Sequence, residues 1–198
     1  YGLAAAQIDR LRQANITVTI AVDKVAASGG YMMASVANKI IAAPFAMIGS
    51  IGVITQLPNF HRFLKKKDID FEQVTAGKYK RTLTMLGQNT DEDREKTQEE
   101  INEIHELFKA HITQYRPSLD IDTIATGECW FGTQAISLGL IDALQTSEDY
   151  LLQQRDTFDI FLVKHAVKQP LISALCGKTE SMLYKWIKEK TPSENNLH

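Results

Sequence analysis

Apolar and polar positions along the chain alternate between two periods, and the switches between them outline the elements. Leu3, Ala4, Gln7, Ile8 and Leu11 recur at steps of three and four, which predicts an amphipathic helix closing near Asn15. Ile16 to Val22 is apolar and β-branched, as a buried strand is. Val25 to Ala27 leads into a corner, Ser28-Gly29-Gly30, from which a small-residue helical run extends to Ala37. Lys39 to Ala43 reads as a second strand stopped by Pro44. Met47 to Ile54 is apolar but broken by Gly49 and Gly52, which suggests close backbone approach rather than a plain strand. Asn59 to Lys67 is a short basic helix, and Asp70 to Ala76 a strand ending at Gly77.

The longest predicted helix opens at Thr90, with Asp93 placed for a capping box. Ile101, Ile104, Phe108, Ile112 and Tyr115 mark its apolar stripe, and Pro117 ends it. Its acidic first half suits the positive end of the helix dipole and reads as a solvated face. Ile121 to Ala125 and Thr133 to Leu138 predict short helices, Ser147 to Gln154 a further one, and Phe158 to Val163 alternates like a strand. Met182, Leu183, Trp186 and Ile187, with Lys185, Lys188 and Lys190 beside them, mark one amphipathic helix in a less regular tail. Helices alternating with short apolar strands argue for an α/β fold with a mostly parallel sheet and flanking helices. The expected organisation is a domain over residues 1–166 and a C-terminal tail over 167–198.

Composition narrows the picture only a little. The 198 residues are 44% hydrophobic and 23% charged, ordinary for a globular chain that buries one core. A net charge of −2 gives no general case for nucleic-acid binding. No uninterrupted apolar run is long enough to span a bilayer. Cys129 and Cys176 form neither a disulfide framework nor a metal site by spacing, and no cofactor motif stands out. The chain opens on Tyr1-Gly2-Leu3 already inside a helical pattern, as a fragment or processed product would.

The corner at Ser28 is where chemistry would sit. A strand, a tight turn carrying serine and a helix present a nucleophile on a rigid corner. The first amides of the helix would lie beside a developing oxyanion. A serine there can equally be only a helix cap. As partners, His61, His105, His111, His165 and His198 fall in none of the turns or strand ends facing the corner. Lysine is the other base such serines use, and Lys78, Lys80 and Arg81 follow a predicted strand end. A free amine is neutral in about one molecule in a thousand near neutral pH, so a lysine base needs burial in an apolar pocket. By pattern alone the three cations could equally form a solvent-facing cluster.

Four ordered motifs decide between these readings. Val25-Ala26-Ala27-Ser28-Gly29-Gly30-Tyr31, Gly49-Ser50-Ile51-Gly52-Val53, Thr75-Ala76-Gly77-Lys78-Tyr79-Lys80-Arg81 and Gly127-Glu128-Cys129-Trp130-Phe131-Gly132 stand in this order. Together with Gln134-Ala135 and Leu138 to Asp142, they resemble the signal peptide peptidase A family, most of all its SohB-like branch. The resemblance implies a serine peptidase of ClpP/crotonase-like fold that cleaves peptides or signal-peptide-like polypeptides through a Ser-Lys dyad. It implies Ser28 as nucleophile, Lys80 as general base, Ser50 as the serine orienting the lysine and the Gly29 N–H as half of the oxyanion hole. It further implies a homo-oligomer without cofactor or metal. An N-terminal anchor, absent from this chain, would hold the catalytic domain at the bacterial inner membrane, on its periplasmic side. Family members also carry a strand and a Gly-Gly turn ahead of the point where this chain starts. The fragment is therefore expected to lack the first strands and one oxyanion donor, and to be inactive if that donor is essential. Two other functions fit the same scaffold: a crotonase-like acyl-CoA enzyme, and a non-catalytic assembly protein. The absence of Asp or Glu from Ala26–Met33 and Gly49–Val53 counts against the first, and the presence of both Ser28 and Lys80 against the second.

Overall fold

Ile40 and Ile41 are consecutive and both fully buried, so the strand that carries them is covered on both faces. It is β3 (Lys39–Ala42), the middle of a three-stranded parallel sheet. β1 (Thr19–Val22) lies on one side with Thr19 opposite Lys39, and β6 (Ala143–Leu144) on the other with Ile41 opposite Ala143. A second sheet runs β2 (Val25–Ala27), β4 (Met47–Gly49), β5 (Cys129–Phe131). Its β2–β4 pair is parallel and its β4–β5 pair antiparallel. The structure, a computed structural model, describes residues 1–164. The expected tail helix at Met182–Ile187, together with His165, Cys176 and His198, lies outside the described residues.

Helices flank the sheets: α1 (Gly2–Gln13), α2 (Gly29–Ser35), α3 (His61–Lys65), α4 (Asp91–Tyr115), α5 (Ile121–Ile124), α6 (Gly132–Ala135) and α7 (Ser147–Gln154). α2 packs between α1 and α4. Phe108 and Ile112, one turn apart, are the buried residues of α4, and they join Tyr31, Ile40, Ile48, Ile51, Ile124 and Leu140 in one core. Burying a side chain such as Ile112 stabilises the fold by about 2 kcal/mol. The expected capping box forms. The Asp93 N–H donates to Thr90 Oγ1 at 3.2 Å, and the Thr90 N–H donates to Asp93 Oδ2 at 2.8 Å.

Two expected strands are absent. Asp70–Ala76 runs as exposed chain without ladder bonds, Val74 being 98% exposed, and Phe158–Val163 is likewise exposed and irregular. Apolar alternation favours a strand only where another strand lies alongside, and none of the described strands pairs with either stretch. Conversely β2, β5 and β6 are two or three residues long, too short to carry a periodic signal.

Candidate active site

β2 ends at Ala27, opposite Gly49 of β4. The next residue of each parallel strand is a serine, so the register brings Ser28 and Ser50 together at adjacent strand ends, the edge where open α/β sheets place their sites. The Ser28 N–H extends the ladder by donating to Gly49 O at 2.7 Å. Ser28 then turns at φ 51°, ψ −120° into α2, and Ser50 also has φ 51°. L-residues avoid positive φ, and such backbone persists where the surrounding structure enforces it, often at functional sites. The Ser28 side chain makes no capping bond to α2 and the residue is exposed, so among the described residues its hydroxyl has no partner and the capping reading does not hold. Gly29 follows, buried, in the first turn, where amides have no intrahelical acceptor.

The glycine at 49 is required by geometry. Its φ is 111°, and a Cβ there would lie 2.8 Å from both the Glu128 carbonyl oxygen and the Trp130 ring. That closeness lets the Ser50 N–H donate to Glu128 O at 2.6 Å. The Gly127–Gly132 stretch therefore acts as a wall against which the Ser50 strand end is held.

The orientation of α2 depends on groups that local sequence does not single out. Tyr31, fully buried, donates its hydroxyl to Leu140 O at 2.8 Å. Burial pushes that hydroxyl's pKa up, so it stays a donor. His111 on α4 faces Met32 O through Nε2 at 3.0 Å, which makes Nε2 the protonated nitrogen. Arg12 Nη1 donates to Val36 O at 2.6 Å at the far end. Beneath Tyr31, Arg116 and Asp142 form a two-pronged ion pair at 3.0 and 2.7 Å, and Asp142 Oδ2 also accepts from the Ile40 N–H at 2.7 Å. Burial raises the Asp142 carboxyl, but the Arg116 guanidinium and the Ile40 N–H outweigh it and hold the group below the usual carboxylate range. By sequence none of the histidines falls in a turn or strand end facing Ser28. His111 does reach α2, but its bond is to backbone, so it props the helix and stands apart from the serine.

The two lysines lie elsewhere. Lys78 and Lys80 sit in the exposed turn that begins at Gly77, whose carbonyl accepts the Lys80 N–H at 3.2 Å. Lys78 Nζ pairs with Glu92 at 2.6 Å and lies 4.9 Å from the Tyr79 ring centre. The bond to Glu92 pushes its pKa well up, so Lys78 is held charged. Among the described residues no hydrogen bond joins Lys80 Nζ to Ser28 or Ser50.

Residues 10–160 of this chain match peptidase family S49. The chain belongs to that family. It is 56% identical over 180 residues to the probable protease SohB of Haemophilus influenzae, an alignment covering 91% of this chain and 51% of that protein. It is 50% identical over 194 residues to the putative protease SohB of Buchnera aphidicola, covering 96% of this chain and 56% of that one. The chain thus spans about half the length of the curated relatives it matches. The expected SohB-like resemblance is met by these relatives. An enoyl-CoA hydratase/isomerase from Marinobacter aquaeolei superposes at a TM-score of 0.44 and 12% identity, over 96% of this chain and 65% of that one. A likeness that distant carries no functional argument.

Proposed function

We propose that the chain is the catalytic part of an S49 serine peptidase in which Ser28 is the nucleophile and Lys80 the general base. The observation that carries this reading is the geometry at Ser28: an exposed, uncapped hydroxyl on a positive-φ corner between a strand and a helix. In this reading the Lys80 amine, which lies in an exposed turn here, is carried to Ser28 and takes the Oγ proton as Oγ attacks the peptide carbonyl. The carbonyl oxygen becomes an oxyanion facing the Gly29 N–H. Collapse breaks the C–N bond, the proton passes from lysine to the leaving amine, and an acyl-Ser28 ester remains. Water then attacks the ester, the lysine again accepting a proton; the acyl C–Oγ bond breaks, the lysine returns the proton to Ser28 Oγ, and the acid product leaves. Lys78 is the poorer base because its ion pair with Glu92 holds it protonated. In the same reading Ser50, at the neighbouring strand end, holds that amine beside Ser28 by a hydrogen bond. The names of the relatives support a protease, and the family resemblance adds that it cleaves peptides or signal-peptide-like segments internally. The family resemblance adds a homo-oligomer at the periplasmic side of the bacterial inner membrane.

The test is labelling with a fluorophosphonate probe alongside cleavage of an unstructured peptide. Labelling at Ser28 that is lost in both Ser28→Ala and Lys80→Ala, but kept in Lys78→Ala, is the expected result. Loss of activity in Lys78→Ala with Lys80→Ala near normal would reassign the base.

A further inference from the structure

Gly29, the first residue of α2, is buried although Ser28 before it is exposed, and the Tyr1 ring fills its open side. A Cβ placed on Gly29 would fall on Cγ, Cδ1 and Cδ2 of Tyr1, so the ring lies directly against the Gly29 backbone. Any side chain at position 29 would push it away. Glycine is therefore needed there for the ring as well as for its amide.

A helix, rather than a bond of its own side chain, brings Tyr1 to this place. Tyr1 caps α1, and its carbonyl accepts the Ala5 N–H at 3.0 Å. α1 packs along α2. Tyr1 meets the start of α2 and Arg12 Nη1 bonds Val36 O just past its end, so the two helices run side by side in the same direction. A ring that served only to pack α1 on α2 would be buried between them, as Ala5 is at 1% exposure. Tyr1 is instead 79% exposed, and the part of its ring turned away from Gly29 faces solvent. A Cβ on Gly30 would meet nothing within 4 Å, so the ground beside the ring is open too. Bare backbone at two glycines, an exposed serine and one aromatic face meet at this corner.

We propose that Tyr1 is a specificity-determining residue of the Ser28 site. Its ring is the wall against which the substrate side chain next to the scissile bond packs, and it favours aromatic side chains over carboxylates. The assignment rests on Ser28 being the nucleophile. A carbonyl held between Ser28 Oγ and the Gly29 N–H lies within about one residue's length of a ring that touches Gly29, so its flanking side chain reaches that ring. The face of an aromatic ring carries partial negative charge, which attracts the edge of another ring and repels a carboxylate.

Covalent labelling of the 198-residue chain with peptidyl diphenyl phosphonates tests the assignment. These probes form a P–O bond to a nucleophilic serine with loss of phenoxide, and the side chain beside phosphorus stands in for that of the substrate. Labelling at Ser28, read by mass spectrometry, should be at least about fivefold faster with a phenylalanine-type probe than with an aspartate-type one. A small alkyl fluorophosphonate, with no side chain to reach the ring, supplies the reference rate for each variant, and melting curves show that each is folded. Y1A should bring the ratio close to one, and Y1F, which keeps the ring, should preserve it. G29A, which displaces the ring, should lower the ratio as Y1A does, and Y1A/G29A should lower it no further. A ratio near one in the parent, or unchanged in Y1A, or lost equally in Y1F, would overturn the assignment while leaving Ser28 as nucleophile. Failure of the fluorophosphonate to label Ser28 would overturn the serine-peptidase reading itself, and this assignment with it.

Discussion

Ser28 holds φ 51° and ψ −120° although its side chain makes no bond to the helix it opens. Only glycine occupies that backbone region at little cost, so a serine there carries strain that its neighbours enforce through the Ser28 N–H to Gly49 bond. Ser28→Gly should therefore stabilise the fold by about 1 kcal/mol, the relief of strain exceeding the extra freedom of glycine in the unfolded chain. Ser28→Ala, which keeps a Cβ, should melt near the parent, and both variants should lose probe labelling. Thermal denaturation of the three proteins checks this; a Gly variant that melts no higher than the Ala variant would show that the corner is unstrained. The serine and its following glycines were legible from sequence because the motif is local. Tyr31 and His111 were not, because their partners Leu140 and Met32 stand 109 and 79 positions away. Nothing in a local pattern of residues marks a hydrogen bond of that span.

Elements whose determinants are local were legible almost to the residue. α4 begins where Thr90 and Asp93 say it must, and α7 spans Ser147–Gln154 as its pattern predicts. Since α4 buries little beyond Phe108 and Ile112, its first turns depend on the cap, and Thr90→Ala should cost about 1 kcal/mol in a thermal melt. Its other end is held differently, by Arg116 reaching Asp142 beside β6. Asp142→Asn leaves the half-buried guanidinium without its charge partner and should cost about 2 kcal/mol near neutral pH. The sign of its pH dependence follows from the lowered carboxyl pKa. The stabilisation is complete above the unfolded value of ~3.9 and is lost as pH falls through the folded one. The gap in melting temperature between parent and Asp142→Asn should therefore be constant from about pH 7 to 5 and close below about pH 4. A gap independent of pH down to about 2 would mean that the ion pair does not stabilise the fold. The strands expected at Asp70–Ala76 and Phe158–Val163 failed for the complementary reason. A helix closes its own hydrogen bonds, whereas a strand needs a partner that its own residues cannot specify.

At the scale of the molecule, residues 1–158 pack as one unit with a firmly tied part and a loosely tied excursion. The α/β class was legible from alternation of element types, but the division of the short strands among the described residues into two sheets depends on pairings such as Ile41 with Ala143, far apart in sequence. The first 50 residues and the stretch from Phe108 to Leu144 are joined through Tyr31–Leu140, His111–Met32, β3–β6 and β4–β5. Phe71 to Lys80, by contrast, is exposed at every position and belongs to no helix or strand. Local opening free energy falls where few apolar contacts and few protected backbone bonds must be broken. Trypsin needs several residues of extended, accessible backbone, so within residues 1–158 its first cuts should follow Lys78, Lys80 or Arg81. Lys39, in a central strand, and Lys109, in the packed half of α4, should be spared until the fold opens. Because the pairings that join the two halves do not pass through the excursion, the nicked chain should elute as one species in native buffer and as two fragments in denaturant. Mass spectrometry of the earliest digestion products reads this directly. Early cleavage at Lys39 or Lys109, or separation of the halves without denaturant, would show that the two parts are not held by the contacts named here.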